Sequence, residues 1–242
     1  MYPSLTRFRT IRRIAAICAL LFFSGTAIII SSAGRRDALT AAVRRVSATL
    51  VIDAGHGGLD GGAVSADGVR ESGINLAIAQ KLHDLCCLLG EDCMLTRSSE
   101  SLDYPPEAGT VREKKLWDQK QRVAKANAAE NAVLISIHQN LYPDPRPCGT
   151  QVLYAGTEGS KSLAELTHGN LCAHLCPGNR RVAVPAADTI FLLKSIRCPA
   201  ILVECGFLSN PEEASRLAAS DYQTEIAAIL CASYLQFISP LS

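Results

Sequence analysis

The stretch VIDAGHGGLDGG, residues 51–62, begins as an apolar strand and stops abruptly in glycine. His56 stands alone among Gly55, Gly57, Gly58, Gly61 and Gly62. Glycine accepts positive φ and lets other groups approach the backbone closely. The pattern therefore predicts a strand whose carboxyl end is cleared around one imidazole. In sheets that alternate with helices, sites form beyond the carboxyl ends of the strands, so the rest of the chain can be placed outward from this ending.

Downstream, apolar runs alternate with helical patterns. GINLAIAQKLHDLCCLLG (73–90) puts Ile74, Ile78, Leu82, Leu85 and Leu89 on one stripe, with Gly90 as its stop. DCMLTR (92–97) is a second strand, 98–111 a loop, and EKKLWDQKQRVAKANAAE (113–130) a helix with a charged face. AVLISIH (132–138), GTQVLYA (149–155) and PAILVECGF (199–207) are further strands, with a helix over 159–175 between the last two. In SNPEEASRL, Asn210 is expected to cap a helix, Pro211 to occupy its first turn and Glu213 to close a capping box. A last helix from about 221 is expected to bury Ile226, Ile229, Leu230, Tyr234 and Phe237. This order specifies an α/β fold: a single domain over 49–242 with a largely parallel central sheet flanked by helices.

The chain's 242 residues, 48% of them hydrophobic, are enough for a substantial core. A net charge of +1, with no basic stripe interleaved with aromatics, excludes nucleic acid as the expected partner. Residues 1–13 form a basic tail holding Arg7, Arg9, Arg12 and Arg13, and 14–34 carry no charge. That length favours a transmembrane anchor, although the small residues of SSAG (31–34) also suit signal-peptidase cleavage. Arg35, Arg36, Arg44 and Arg45 then balance the arginines before the span, so charge says little about its orientation. Residues 35–48 read as a linker to the domain. None of the 10 cysteines forms a CxxC pair. The nearest metal-like group, Cys172, His174 and Cys176, ends a helix where cysteine also serves as a small hydrophobe.

Chemistry-bearing residues gather at the strand ends. One strand runs into His56, another into His138 and a third into Glu204, while Glu71 starts the first helix. Singly, each has an ordinary reading: a histidine after a strand is commonly a turn residue, and a glutamate at a helix start complements the dipole. Glu204 is harder to dismiss, because a carboxylate inside an apolar run is costly to bury without a partner. Together, His56, Glu71 and His138 make a His₂Glu set suited to catalytic zinc, which keeps a fourth position for water. Glu204 would then stay off the metal and handle protons. GHGGLDGG lacks the third glycine of a dinucleotide loop, and no P-loop lysine, HExxH or GxSxG is present. Cys205, beside Glu204, is the alternative nucleophile.

VIDAGHGG (51–58), ESGINLAIAQKL (71–82), RVAKANAAENAVLISIHQN (122–140) and LLKSIRCPAILVECGFLSNPEEASRL (192–217) resemble, in order, the motifs of the zinc-dependent N-acetylmuramoyl-L-alanine amidases of the amidase 3 type. The resemblance covers roughly 49–238 and is strongest to the germination-specific, spore-cortex branch. It implies a Zn²⁺ cofactor on His56, Glu71 and His138, and Glu204 as the catalytic carboxylate. It also implies hydrolysis of the amide between the lactyl group of N-acetylmuramic acid and L-alanine of the stem peptide. Gln139, Leu141 and Ser72–Gly73 depart from the family's usual residues and bear on substrate fit. The implied partners are the peptidoglycan glycan strand with its stem peptides, and the membrane through the N-terminal segment; about an activator protein the residues say nothing. The implied location is extracytoplasmic, anchored or secreted, and for a sporulation enzyme the space between the forespore membranes. Two other readings use the same residues: a zinc peptidase acting on stem peptides, and a membrane-anchored wall-binding module without catalysis.

Overall fold

The strands are β1 (Thr49–Ala54), β2 (Cys93–Leu95), β3 (Ala132–Asn140), β4 (Gln151–Tyr154), β5 (Val184–Pro185) and β6 (Ala200–Phe207). The helices are α1 (Glu71–Leu88), α2 (Val111–Ala128), α3 (Ser160–Leu175), α4 (Phe191–Ser195), α5 (Pro211–Ala218) and α6 (Ser220–Ile238). These belong to a computed structural model that describes residues 48–239. The expected anchor at 14–34, with Cys18 inside it, lies outside the described residues, as does the expected linker up to 47. Among the described residues no helix is long and apolar enough to cross a membrane.

The strands form one sheet in the order β2-β1-β3-β6-β4-β5. Pairings from β2 through β6 are parallel, as the alternating pattern requires, whereas β4 runs antiparallel to β6. β5 and the short α4 fall between the expected helix and the last strand and were not foreseen.

Side chains on a strand alternate between faces, and this alternation sorts the core into two layers. Leu50, Ile52, Val133, Ile135, Ile201 and Val203 face one way and pack with α1, α3 and α6 through Ile78, Leu171 and Tyr234. Val51, Leu134, Ala200 and Leu202 face the other way, onto Ala126 of α2 and Leu192 and Leu193 of α4. Toward the carboxyl ends, the residues that continue this second face are Asp53, Ser136, His138 and Glu204. The sheet therefore changes from apolar to polar where the site is expected.

Two helix starts differ from expectation in an instructive way. The reciprocal capping box stands at α2: Thr110 Oγ1 accepts from Glu113 N, and the Glu113 carboxylate accepts from Thr110 N at 2.8 Å. At α5, Asn210 accepts from Glu212 N and Glu213 N and Pro211 begins the helix, but Glu213 closes no box. Its carboxylate instead accepts from Gly149 N at 2.7 Å and from Phe207 N at 2.8 Å. The β3–β6 register shifts between His138 and Asn140, and a bulge leaves backbone donors that need an acceptor from elsewhere. Leu89, expected on the buried stripe of α1, is instead its C-cap and 56% exposed.

Candidate active site

Glu71 is the first residue of α1, and its chain entry is pinned by Glu71 N donating to Ala63 O at 2.9 Å. Its carboxylate is buried and accepts from Ala63 N (2.8 Å), Gln139 N (3.0 Å) and Asn75 Nδ2 (3.2 Å). Both histidines converge on it: His138 Nδ1 lies 2.9 Å from Oε1 and His56 Nε2 3.3 Å from Oε2. The imidazole rings meet edge to face with centroids 4.9 Å apart. One ligand atom from each of the three residues lies within 4.8 Å of the others. Two imidazoles and a carboxylate at this spacing fit the donor set of a zinc site with an open position.

The glycines make this convergence physically possible. A Cβ on Gly55 would overlap the His138 ring, and one on Gly62 would come within 2.7 Å of His56 Cδ2 and 2.5 Å of Glu71 Oε2. His56 itself sits at φ 60°, a conformation rare outside glycine and asparagine, and such strain is typical of functional residues held by their surroundings. The loop expected over 98–111 braces the same turn, where Leu59 N donates to Tyr104 Oη at 3.2 Å.

Asp60 supplies a contact that sequence reasoning missed. Its Oδ2 lies 2.9 Å from His56 Nδ1, and since a carboxylate only accepts, Nδ1 carries a proton. Nε2 faces Glu71, carries a second proton when the ring is charged, and is the nitrogen left for an ion when it is neutral. Burial opposes it, yet the bonds to Asp60 and Glu71 raise the His56 pKa to about 9. Burial likewise opposes ionisation of Glu71, but the bonds to His138 and His56 hold its carboxyl below the usual carboxylate range.

Glu204 stands on β6 directly beside His138 of β3. Its Oε2 is buried with no hydrogen-bond partner. Burial, together with the Glu71 charge and against the two histidines, raises its pKa to about 7. It is thus an acid poised between its two forms near neutrality, as proton transfer requires. Cys205, one residue on, points into the opposite core at 1% exposure, and burial pushes its thiol well above the usual range. Strand alternation thereby removes it as a nucleophile.

Under the site runs a second buried network. Asp53 Oδ1 accepts from Arg122 Nη1 (2.8 Å) and Thr96 Oγ1 (2.7 Å), and Oδ2 accepts from Ser136 Oγ (2.6 Å). Arg122 also donates to Ala54 O (2.5 Å) and His56 O (2.6 Å), tying α2 to the backbone that carries the histidine. A cleft of about 290 Å³ opens above these groups, lined by His56, His138 and Glu204, with Thr189–Leu192 as an opposing wall. A larger cavity of about 770 Å³, lined by Cys176, Arg180, Arg181 and Arg216 among others, includes none of these site residues. His174 does not join Cys172 and Cys176: the Cys172 sulfur lies 3.5 Å from His168 Nε2, and that of Cys176 lies 3.7 Å from Thr150 and Asn179.

The family model described as N-acetylmuramoyl-L-alanine amidase matches residues 50–233. The chain is 32% identical over 193 residues to the germination-specific N-acetylmuramoyl-L-alanine amidase of Bacillus subtilis, covering 78% of this chain and 79% of that one. Among solved structures, it resembles the CwlD amidase from Clostridioides difficile, determined in complex with the GerS lipoprotein. That likeness has a TM-score of 0.74 at 34% identity, over 78% of this chain and 97% of that one. An N-acetylmuramoyl-L-alanine amidase from Clostridium difficile 630 matches with a TM-score of 0.70 at 27% identity, over 81% of this chain and 99% of that one.

Proposed function

The chain belongs to the N-acetylmuramoyl-L-alanine amidase family, and from that premise we propose a zinc-dependent hydrolase that cuts the amide between the lactyl group of N-acetylmuramic acid and L-alanine. The observation that carries the chemistry is the meeting of His56, Glu71 and His138 beside Glu204, whose carboxyl is raised to about 7.

His56, Glu71 and His138 would hold the ion, which when bound supplies Lewis-acid polarisation of the amide carbonyl and a more acidic water. Glu204 removes the proton from the attacking water and returns it to the departing L-alanine nitrogen, which its neutral-range pKa allows in both directions. Asp60 keeps the His56 ring in one tautomer, and Asn75 and Gln139 N hold the Glu71 carboxylate in one orientation. The cleft above them admits the substrate from the rim bared by the glycine loop.

On the same reading, residues 14–34 export or anchor the domain, and the substrate is extracytoplasmic peptidoglycan. Likeness to a germination-specific relative supports work on the spore cortex, between the forespore membranes. The lipoprotein bound to the CwlD amidase supports a lipoprotein partner here too.

Digestion of purified peptidoglycan by the full chain with zinc should release stem peptides bearing a free L-alanine amino terminus, detected by mass spectrometry. Cuts within the stem peptide would transfer the case to the peptidase reading, and binding without any product to the wall-binding module. His138→Ala should carry one equivalent of zinc fewer per chain than the wild type, measured by elemental analysis. An unchanged count would remove His138 from the ligand set.

A further inference from the structure

At the far end of α1, a second group of soft ligands comes together. His83 and Cys87 are one helical turn apart, the spacing that places two side chains on the same face. Gly90, at φ 78°, then reverses the chain, and Cys93 enters β2 against that face. Cys87 Sγ lies 3.6 Å from His83 Nε2 and 3.3 Å from Cys93 Sγ. One ligand atom from each residue lies within 4.8 Å of the other two, as in the trio of His56, Glu71 and His138.

We propose that His83, Cys87 and Cys93 form a second cation site, of Cys₂His type, for zinc or another borderline-soft divalent ion. Two sulfurs and one imidazole nitrogen are the donors such ions take, and they occupy three of four tetrahedral positions. Each thiol gives its proton to solvent on binding, so the two thiolates offset the charge of the ion. Cys87 is exposed and His83 partly so, which leaves the remaining position to water.

The group stands apart from the catalytic residues. His83 is twelve positions along α1 from Glu71, about 18 Å at the helical rise. It also differs from the nearby thiol pair Cys86 and Cys231, whose sulfurs lie 3.6 Å apart, buried, and have no imidazole within bonding distance. A bound ion would clasp the carboxyl end of α1 to the edge strand β2, while the amino end of the same helix presents Glu71. The site therefore serves as a structural clasp on the element that positions a catalytic ligand.

Co²⁺ distinguishes the two sites, because only thiolate ligands give an intense sulfur-to-cobalt charge-transfer band. Full-chain protein, kept reduced and stripped of metal, is titrated with Co²⁺. The wild type should bind two equivalents, one of which raises the band. Cys87→Ser and Cys93→Ser should each bind one equivalent and show no band. His56→Ala should also bind one equivalent but keep the band, as should the exposed control Cys148→Ser with both equivalents. Cys87 is exposed, so Cys87→Ser tests the site without disturbing the core that the half-buried Cys93 touches. A wild type with no band, or a band that survives Cys87→Ser, overturns the proposal. Recovery of Cys87 and Cys93 as a mutual disulfide in protein exported and purified without reductant also overturns it.

Discussion

Glu204→Gln is expected to lower amide hydrolysis about 10²–10⁴-fold while leaving the zinc content unchanged. The amide keeps the shape of the side chain on β6 but accepts no proton from water and has none to return. Because Glu204 makes no hydrogen bond through Oε2, no partner in the protein is orphaned by the change. In the zinc-free protein the fold should gain if anything: burial raises this carboxyl to about 7 from an ordinary 4.5, so above neutral pH the folded state carries a charge that unfolding would release to water. Below about pH 4.5 the group is protonated in both states, and the difference vanishes. Comparison of turnover on peptidoglycan, zinc content and melting temperature therefore separates a proton-carrying role from a structural one. A variant that turns over at the wild-type rate removes Glu204 from the chemistry, and one that loses zinc together with turnover makes it a ligand.

The parts of this site that are legible in the sequence are those announced by a polar residue ending an apolar strand. His138 and Glu204 each break a run of aliphatic side chains, and a buried run tolerates such a break only for a reason; His56 stands alone in the glycines that follow β1. Strand alternation even separates Glu204 from Cys205. Other features are hidden because their partners are remote. Arg122 reads as one more charge on the exposed face of a helix; only packing of α2 beneath the end of β1 turns it inward onto Asp53. Glu213 fits a capping pattern by spacing, yet two buried backbone donors at Gly149 and Phe207 outcompete the helix end for its carboxylate. The reversal of β4 did leave a signal: the link from β3 holds no helix, and a parallel return needs a long crossover, usually helical. Asp60 was visible only as a failed dinucleotide loop, since its meaning depends on the positive φ of His56 that brings the ring back over it.

Arg122→Met should destabilise the domain by about 3–5 kcal/mol, the usual consequence of stranding one member of a buried ion pair. In a domain of this size that is a fall of roughly 6–20 °C in Tm. Burial works against Asp53, but Arg122, Ser136 and Thr96 bring its pKa down from 3.8 to about 2. In the wild type this group's contribution is fully present above about pH 4 and is lost as pH falls toward 2; its size is about 2 kcal/mol from the shift alone. Without the guanidinium, burial dominates and the Asp53 pKa rises. The variant is then penalised at neutral pH and relieved when the carboxyl protonates. The stability gap between the two proteins, measured by urea unfolding, should be widest near neutrality and narrow on acidification toward pH 2, leaving the part due to the lost bonds to Ala54 O and His56 O. Asp53→Asn combined with Arg122→Met should recover part of the loss, because the charge at Asp53 is gone while Asp118, Arg122's other carboxylate partner, stays unpaired. The double variant should still bind zinc more weakly than the wild type, since Arg122 also anchors the carbonyls of Ala54 and His56, and no change at Asp53 restores that hold. A stability gap that stays constant from pH 7 to pH 2 would show that Arg122 acts through packing rather than through the charge of Asp53.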